Sequence, residues 1–221
     1  MEIKNKKEIC RNWNLYVITD LAMAAPRNYI QIIREVLMGG ANVVQIRDKT
    51  TPFEELIEVG LKIKPMFEEY GASLIVNDNP YLAKEIDADG AHLGQEDMPV
   101  DIAREILGAN KIIGLSTHTK AQAIHAMFLD VDYIGIGPIF PTSTKKSEYA
   151  PLGIPMLQWM SREIKLPFVP IGGINGDNIK EVCLNGGTAP AVASAIMKSD
   201  NLTETTRELI RTIKETKGRN P

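Results

Sequence analysis

Three polar side chains stand at alternate positions in the stretch VVQIRDK, residues 43–49. In an extended strand Gln45, Arg47 and Lys49 point to one face, because successive side chains alternate between the two sides. An amide and two cations on one face suit an anionic ligand such as a phosphate. Two other interpretations stay open: a solvated edge strand, and structural ion pairs with neighbouring carboxylates.

Two carboxylates follow later apolar runs. Asp78 ends the run SLIVND (73–78), and Asp97 comes two residues after the run GAHLGQ (90–95). Neighbouring strands lie about 4.8 Å apart, so the two carboxylates can converge, and they then repel each other unless a cation lies between them. Carboxylate oxygens are the ligands that Mg²⁺ prefers. The alternative for Asp97 is that it caps a helix that begins near Pro99.

A third cluster suits a second anion. Gly172 and Gly173 end one apolar run, and Ser194 lies near the end of the next. Glycine lets backbone N–H groups approach a phosphate, and many barrels bind phosphate after their seventh and eighth strands. The alternative is that both glycines are ordinary turn residues. The sequence therefore predicts two anion sites, one with cations and a metal for a diphosphate and one without a metal for a monophosphate.

Short apolar runs alternate with segments of helical period along the whole chain. The runs predict eight strands at 14–19, 42–47, 73–78, 90–95, 111–116, 132–137, 167–172 and 190–195. Eight βα units in a row predict a single (β/α)8 TIM barrel with the active site at the C-terminal ends of the strands. The clusters described above all lie at those ends. A doubly wound open sheet is the alternative fold.

The composition places limits on the class of protein. The 221 residues predict one TIM-barrel domain over 1–221, with an N-terminal extension (1–13), a barrel core (14–198) and a final helix and tail (199–221). The net charge is −3 and no basic run occurs, which argues against nucleic acid as a partner. No apolar run is long enough to span a membrane.

The two cysteines indicate a compartment. Cys10 and Cys183 form no C-x-x-C pair, and no signal-type apolar stretch follows the charged start of the chain. We therefore expect a cytoplasmic protein. The expected partners are two small phosphorylated substrates, with no nucleic acid and no membrane, and the sequence leaves open whether the chain forms a homo-oligomer.

The chain resembles the thiamine-phosphate synthase family from LYVITD at 15–20 to SAIM at 194–197. The matching stretches are GGANVVQIRDK, IVNDN, GAHLGQED, IIGLSTHT, DYIGIGPIFPTSTKK and IGGIN. The resemblance implies a Mg²⁺-dependent transferase that joins a hydroxymethylpyrimidine diphosphate to a thiazole phosphate and releases pyrophosphate. The sequence departs from the family pattern at NGGTAPAVAS (185–194), where members more often read like GADGVAVVS.

The resemblance also implies roles for individual residues, which fall into four groups. The pyrimidine diphosphate would be held by Gln45, Ile46, Arg47, Asp48, Lys49, Asn77, Ser116 and Lys145. The thiazole phosphate would be held by Thr142, Ser143, Thr144, Gly173, Ala193 and Ser194. The metal ligands would be Asp78 and Asp97, and the catalytic residues Arg47, Lys49, Ser116 and Lys145.

Two other functions are considered. A thiazole tautomerase uses the same scaffold, but that family resembles this chain with a His at the position of Pro138. Proline cannot transfer a proton, which argues against an isomerase. A non-catalytic barrel that binds a phosphorylated ligand is the second alternative, and an intact carboxylate pair together with Lys145 argues against it.

Overall fold

Eight parallel strands form a sheet in which the first seven pair in chain order, each with the next. The computed structural model describes residues 5–142 and 149–218. The strands are β1 (Tyr16–Ile18), β2 (Val43–Ile46), β3 (Ser73–Asn77), β4 (Gly90–Leu93), β5 (Ile112–Thr117), β6 (Tyr133–Ile136), β7 (Phe168–Pro170) and β8 (Ala191–Val192). β8 pairs with β1, and a bridge from Ile171 to Ala191 joins β7 to β8. The sheet therefore closes into the predicted (β/α)8 barrel, and an open doubly wound sheet is excluded.

Helices lie before the first strand, between the strands and after the last one. The described ranges contain α1 (Lys6–Arg11), α2 (Tyr29–Met38), α3 (Phe53–Tyr70), α4 (Pro80–Glu85), α5 (Val100–Leu107), α6 (Lys120–Ala126), α7 (Gly153–Glu163), α8 (Ile179–Leu184), α9 (Ser194–Met197) and α10 (Leu202–Lys217). In α2 the buried positions recur at helical spacing, and Asn28 and Gln31 form a capping box at its start. No helix in these ranges is long and apolar enough to cross a membrane.

Alternation along the strands divides the core into two clusters. Val44 and Ile46 point outward and join the cluster between the sheet and the helices, whereas Val43 points into the barrel. The strands read as apolar on both faces because both faces of a parallel barrel are covered. The inner cluster contains Cys10, Trp13, Tyr16, Ile18, Val43, Ile75, Ile112, Tyr133, Val169, Ala189 and Ala191.

The first helix closes the amino-terminal end of the barrel. Trp13, just after α1, donates a hydrogen bond from Nε1 to Ser73 Oγ (3.1 Å), at the first residue of β3. The Lys6 ammonium lies 3.3 Å from the buried carboxylate of Asp132, to which Arg104 also binds at 2.9 Å. Within the described residues, the amino-terminal end is therefore filled by side chains, and the cavity opens at the opposite end, where the strands finish.

The last predicted strand is shorter than its apolar pattern suggests. Residues 190–195 were expected to be extended, but β8 ends at Val192 and α9 begins at Ser194. Ala193, with φ −117° and ψ −84°, makes the change of direction. The consequence is that Ser194 is the first residue of α9 at the barrel mouth and not part of a strand.

Candidate active site

A cavity of about 170 Å³ opens at the carboxyl ends of the strands. Its walls come from strands on all sides of the barrel and from the chain after β6. Eight of the residues to which the family resemblance assigns a role line it: Gln45, Arg47, Asn77, Ser116, Thr142, Gly173, Ala193 and Ser194. Closure of the sheet brings these residues together, because each stands at the end of its own strand or in the connection that follows.

Arg47 is held at the cavity wall by two residues that follow β1. Its Nη1 lies 3.5 Å from Asp20 Oδ2, and its backbone N–H donates to Thr19 Oγ1 at 3.2 Å. Asp20 is itself fixed, because its Oδ1 accepts from Met23 N at 3.0 Å. Guanidinium has five donors in a planar fork, and the ion pair with Asp20 holds this fork at the cavity wall, where it can bind an anion.

The stretch 45–49 does not act as one unit. Gln45 points inward and lines the cavity, whereas the side chain of Ile46 packs between the sheet and the helices. A strand alternates its side chains, so only backbone atoms of Ile46 can face a ligand. The resemblance implied substrate contacts for both residues, and the structure places only the Gln45 side chain at the cavity.

Asp48 organises the turn after β2. Thr50 and Thr51 each donate to its carboxylate through their backbone N–H and their hydroxyl, at 2.7–3.0 Å, and Tyr29 donates at 2.9 Å. Burial by itself raises the pKa of Asp48, but the hydrogen bonds from Thr51 and Thr50 outweigh it and hold the pKa well below its ordinary value. The Asp48 carboxylate therefore stabilises the turn that contains Lys49.

The two predicted metal ligands come together at the rim. Burial raises the pKa of the Asp78 carboxyl, and the hydrogen bond and negative charge of Asp97 raise it further. Lys49, whose Nζ lies 3.5 Å from Asp78 Oδ2, lowers the pKa only in part. Two carboxyl groups in this state are stabilised by a cation between them.

The donor set fits a magnesium ion that keeps open positions. Among residues 5–142 and 149–218 no group of three or more His, Cys, Asp or Glu side chains is placed to hold a metal. Mg²⁺ commonly binds through one or two carboxylates and completes its shell with water and substrate phosphates. The alternative role for Asp97 is not observed, because no side chain caps α5 at Pro99 and the Asp97 carboxylate instead accepts from Gly94 N at 2.6 Å.

A second cavity adjoins the first and shares part of its wall. Thr142, Gly173 and Ser194 line both cavities, and Lys198 lines the second one. Gly173 has φ +66°, and a Cβ there would lie 2.8 Å from Phe140 Cβ, so only glycine fits. Lys198 was not predicted, because a lysine just after a short helix carries no distinctive sequence signal.

Part of the predicted site lies outside the described residues. Ser143, Thr144 and Lys145 belong to that part, and their predicted roles stay predictions. On the far side of the gap, Tyr149 stacks on His118 with ring centroids 4.2 Å apart and planes at 13°. His118 lines the first cavity, and its Nδ1 lies 2.6 Å from the Gly137 carbonyl oxygen.

Several residues of the cavity wall were not predicted from the sequence. Tyr16, His92 and Tyr133 look like ordinary strand residues in the sequence, but all three line the cavity. The strand register contained the signal, because His92 is level with Asn77 on the neighbouring strand. Residues level with each other on parallel strands point to the same side, so His92 faces the interior with Asn77.

The fold and the site together define a class of protein. A (β/α)8 barrel with an arginine fork, a carboxylate pair and a glycine turn at the ends of its strands is built to bind phosphorylated substrates. A model of the family described as "Thiamine monophosphate synthase" matches residues 15–196. The chain belongs to the thiamine monophosphate synthase family.

Individual relatives agree with the family assignment. The chain is 42% identical over 210 residues to the thiamine-phosphate synthase of Dictyoglomus turgidum, with 95% of this chain and 94% of the relative covered. It is 42% identical over 196 residues to the thiamine-phosphate synthase of Lawsonia intracellularis, with 89% and 90% covered. The solved structure of thiamine phosphate pyrophosphorylase from Pyrococcus furiosus superposes with a TM-score of 0.87 at 36% identity, covering 94% of this chain and 98% of that one.

Proposed function

We propose that the protein is a thiamine-phosphate synthase. It joins 4-amino-2-methyl-5-hydroxymethylpyrimidine diphosphate to 4-methyl-5-(2-phosphoethyl)thiazole, or to its carboxylated form, and releases thiamine monophosphate and pyrophosphate. The carboxylated form would also lose its carboxyl group as carbon dioxide. The observation that carries the proposal is the shared wall of the two cavities, where Thr142, Gly173 and Ser194 belong to both. Two phosphorylated substrates bound on either side of that wall would meet at it.

The first cavity takes the pyrimidine diphosphate. Gln45, Asn77 and Ser116 supply amide and hydroxyl groups that can bind the ring and the ester oxygen, and the Arg47 fork binds the diphosphate. Lys49 lies beside the carboxylate pair, where it can reach the same diphosphate. Lys145, in the chain after β6, is proposed as a further cation on the basis of the family resemblance.

Asp78 and Asp97 are proposed to hold one Mg²⁺ ion. When bound, the ion supplies positive charge that stabilises the pyrophosphate as it leaves. Lys49 would then be available to the diphosphate, because the bound ion would supply the positive charge that Lys49 supplies beside Asp78. Burial raises the pKa of Asp78, and the hydrogen bond and charge of Asp97 raise it further; this supports the assignment, since a bound cation would stabilise both carboxylates.

The chemical step requires charge stabilisation more than acid–base catalysis. The exocyclic C–O bond of the pyrimidine substrate breaks, the electron pair leaves with pyrophosphate, and the ring amino group stabilises the resulting cation. The thiazole nitrogen then forms the C–N bond with its own lone pair. Arg47 and Lys49 neutralise the negative charge that grows on the leaving group, which is stabilisation of the transition state. The second cavity contributes by positioning the thiazole through its phosphate.

One assay tests the proposal. Both substrates are incubated with the protein and Mg²⁺, and thiamine phosphate and pyrophosphate are measured together. We expect equal amounts of the two products and no reaction when the metal is chelated. Isomerisation of the thiazole without the pyrimidine would indicate a tautomerase, and binding of either phosphorylated compound without turnover would indicate a binding protein.

The location is proposed from the thiols. Cys10 and Cys183 are both buried and form no disulfide. Burial raises the pKa of the Cys183 thiol to about 11, so the group stays protonated and unreactive at neutral pH. Unpaired thiols and phosphorylated metabolic substrates are typical of the cytoplasm, where we propose the enzyme works.

A further inference from the structure

A line of hydrogen bonds crosses the barrel interior directly beneath the first cavity. Gln45 Nε2 lies 3.0 Å from the Tyr16 hydroxyl, which lies 2.7 Å from the Tyr133 hydroxyl. The Tyr133 hydroxyl lies 2.9 Å from His92 Nδ1, and His92 Nε2 lies 2.9 Å from Ser116 Oγ. We propose that protons are donated along this line in one direction only, from Gln45 to Ser116, and that the line makes the Ser116 hydroxyl a donor to the bound ligand.

The direction is set at the Gln45 end. An amide nitrogen donates hydrogen bonds and does not accept them, so the Tyr16 oxygen is the acceptor there. Tyr16 must then donate its own proton to its other partner, Tyr133, because a buried hydroxyl proton without an acceptor is costly. Burial raises the pKa of both phenols, and both therefore keep their protons.

The same assignment of donors and acceptors continues from Tyr133 to the cavity wall. Tyr133 accepts from Tyr16, so its own proton goes to His92 Nδ1. A neutral imidazole that accepts at Nδ1 carries its proton on Nε2. His92 therefore donates to Ser116 Oγ, and the Ser116 proton is directed to the cavity that this residue lines.

Glycines on the neighbouring strands leave space for the side chains of this line. A Cβ at Gly114 would overlap with the Tyr133 ring and with His92 Nδ1, and a Cβ at Gly135 would come within 3.2 Å of His92 Cε1. Trp13 packs edge-on against both tyrosine rings, with centroids 5.6 and 4.9 Å away. This packing holds the rings in one orientation, and within that orientation the hydrogen bonds select the tautomer of His92.

The direction of the line determines which kind of ligand atom can bind to the Ser116 hydroxyl. This part of the inference rests on the proposed function. A Ser116 hydroxyl that must donate takes an acceptor, either a diphosphate oxygen or a ring nitrogen of the pyrimidine. The exocyclic amino group of the pyrimidine would place further hydrogen-bond donors next to the Ser116 donor. That group is therefore excluded from this position. Tyr16, Tyr133 and His92 are positioning residues, because they act on the ligand through Ser116.

Nuclear magnetic resonance of the ligand-free protein tests the direction. The chain contains three histidines, so the imidazole ¹⁵N signals of His92 can be assigned with the variants His118→Gln and His125→Gln. Long-range ¹H–¹⁵N correlation then shows which ring nitrogen carries the proton. We expect a neutral His92 ring protonated at Nε2. A ring protonated at Nδ1, or at both nitrogens at neutral pH, would overturn the proposal.

A pair of tyrosine variants distinguishes an effect of the hydrogen-bonded line on the His92 tautomer from an effect of packing. Tyr133→Phe removes the group that donates to Nδ1, so the two neutral tautomers should become similarly populated and the ¹⁵N shifts should move toward each other. Tyr81→Phe is the matched control, because Tyr81 is 55% exposed on α4 and should leave the His92 signals unchanged. An unchanged His92 tautomer in Tyr133→Phe would show that the line does not set it.

Turnover gives a second readout. Tyr133→Phe should lower kcat/KM for the pyrimidine diphosphate about tenfold and leave KM for the thiazole phosphate unchanged, because only the Ser116 donor is weakened. An equal loss for both substrates would assign the tyrosine to barrel structure alone. If the wild-type protein formed no thiamine phosphate, the proposed function would fail, but the tautomer measured without ligand would still decide the direction of the line.

Discussion

Asp78 has a backbone conformation that few residues with a side chain adopt. Its φ is 61°, in the left-handed region where aspartate and asparagine are tolerated best. This turn at the end of β3 aims the carboxyl toward Asp97, and the raised pKa of Asp78 shows that the two groups interact. The proposed metal site would therefore depend on one unusual residue conformation as well as on two charges.

Removal of either charge should impair metal use. Asp78→Asn keeps the shape and the left-handed preference, so the barrel should stay folded while one hard ligand is lost. We expect the Mg²⁺ concentration for half-maximal activity to rise at least about tenfold, which corresponds to roughly 1.4 kcal/mol of binding free energy. Asp97→Asn should behave in the same way. The measurement is initial rate against Mg²⁺ concentration.

Asp87 provides a matched control for the metal prediction. It also has a positive φ, 50°, but it forms an ion pair with Lys111 away from the cavity. Asp87→Asn should leave the Mg²⁺ dependence unchanged. If Asp78→Asn kept the wild-type Mg²⁺ curve, Asp78 would not be a ligand.

Arg47 should act more on the transition state than on substrate binding. Its Nη1 is paired with Asp20 at 3.5 Å, so the fork is already oriented when the diphosphate arrives. A charge-assisted hydrogen bond contributes roughly 1.5–3 kcal/mol, so Arg47→Met should lower kcat by at least about tenfold. Arg47→Lys keeps the charge but loses the planar fork and should recover only part of the rate.

Single-turnover kinetics checks the Arg47 prediction. The exposed Arg207, paired with Glu204 on α10, is the control, and Arg207→Met should not change the rate. A higher KM with an unchanged kcat in Arg47→Met would mean that the arginine only holds the substrate.

At the scale of elements, the turn after β2 is stabilised by one carboxylate. The hydrogen bonds that Asp48 accepts from Thr50, Thr51 and Tyr29 join the end of the strand to α2 and to the start of α3. Asp48→Ala should therefore lower the free energy of unfolding by roughly 2 kcal/mol at neutral pH.

The pH dependence follows from the lowered pKa of Asp48 in the folded state. A depressed carboxyl pKa stabilises the protein above the unfolded value, about 4, and this contribution is lost as the pH falls below it. Urea unfolding at pH 7 and pH 3 should show the difference between wild type and Asp48→Ala narrowing at the lower pH. Asp177→Ala, at an exposed carboxylate before α8, is the control. A difference that did not change with pH would assign the effect to lost packing.

The turn from β8 into α9 should govern the second substrate. Ser194→Asp places a negative charge at the second cavity, and Lys198→Met removes a positive one. Both should raise KM for the thiazole phosphate, the lysine change by roughly fivefold because its side chain is exposed. KM for the pyrimidine diphosphate should change little.

Steady-state kinetics with each substrate varied in turn measures this separation. The exposed Lys180, on α8 and outside both cavity walls, is the control for Lys198. Equal effects of Ser194→Asp on both substrates would mean that the two cavities work as a single site.

At the scale of the whole molecule, the barrel is closed at one end and open at the other. Trp13 fills the amino-terminal end and donates to Ser73 at 3.1 Å. Trp13→Phe removes that hydrogen bond and part of a buried ring, so the free energy of unfolding should fall by roughly 1–2 kcal/mol.

Urea denaturation measures the effect, and the second tryptophan offers the comparison. Trp159 is only partly buried on the outer layer, where Lys120 Nζ lies 5.1 Å from its ring centroid. Trp159→Phe should cost less than about 1 kcal/mol. A loss as large as that of Trp13→Phe would show that closure of the barrel end is not the source of stability.

The sequence by itself determined the order and type of the elements and the chemistry at their ends. Strand and helix periods are local properties, so all eight strands could be predicted from short windows. Charged or polar residues such as Arg47 and Asn77 were predicted at the mouth because each follows an apolar run, and the structure places both in the cavity wall. The alternation that separates Gln45 from Ile46 is also local, although the family resemblance had placed both on the substrate.

Only the tertiary structure decided which inward-facing residues meet. Tyr16 and Tyr133 are 117 positions apart in the sequence, yet their hydroxyls are 2.7 Å apart. Lys198 likewise lines the same cavity as Thr142 because β8 lies beside β7, to which the Ile171–Ala191 bridge joins it. Such meetings depend on the register of eight strands around a closed barrel, and register is set by the sum of many packing contacts, which no short stretch of sequence contains.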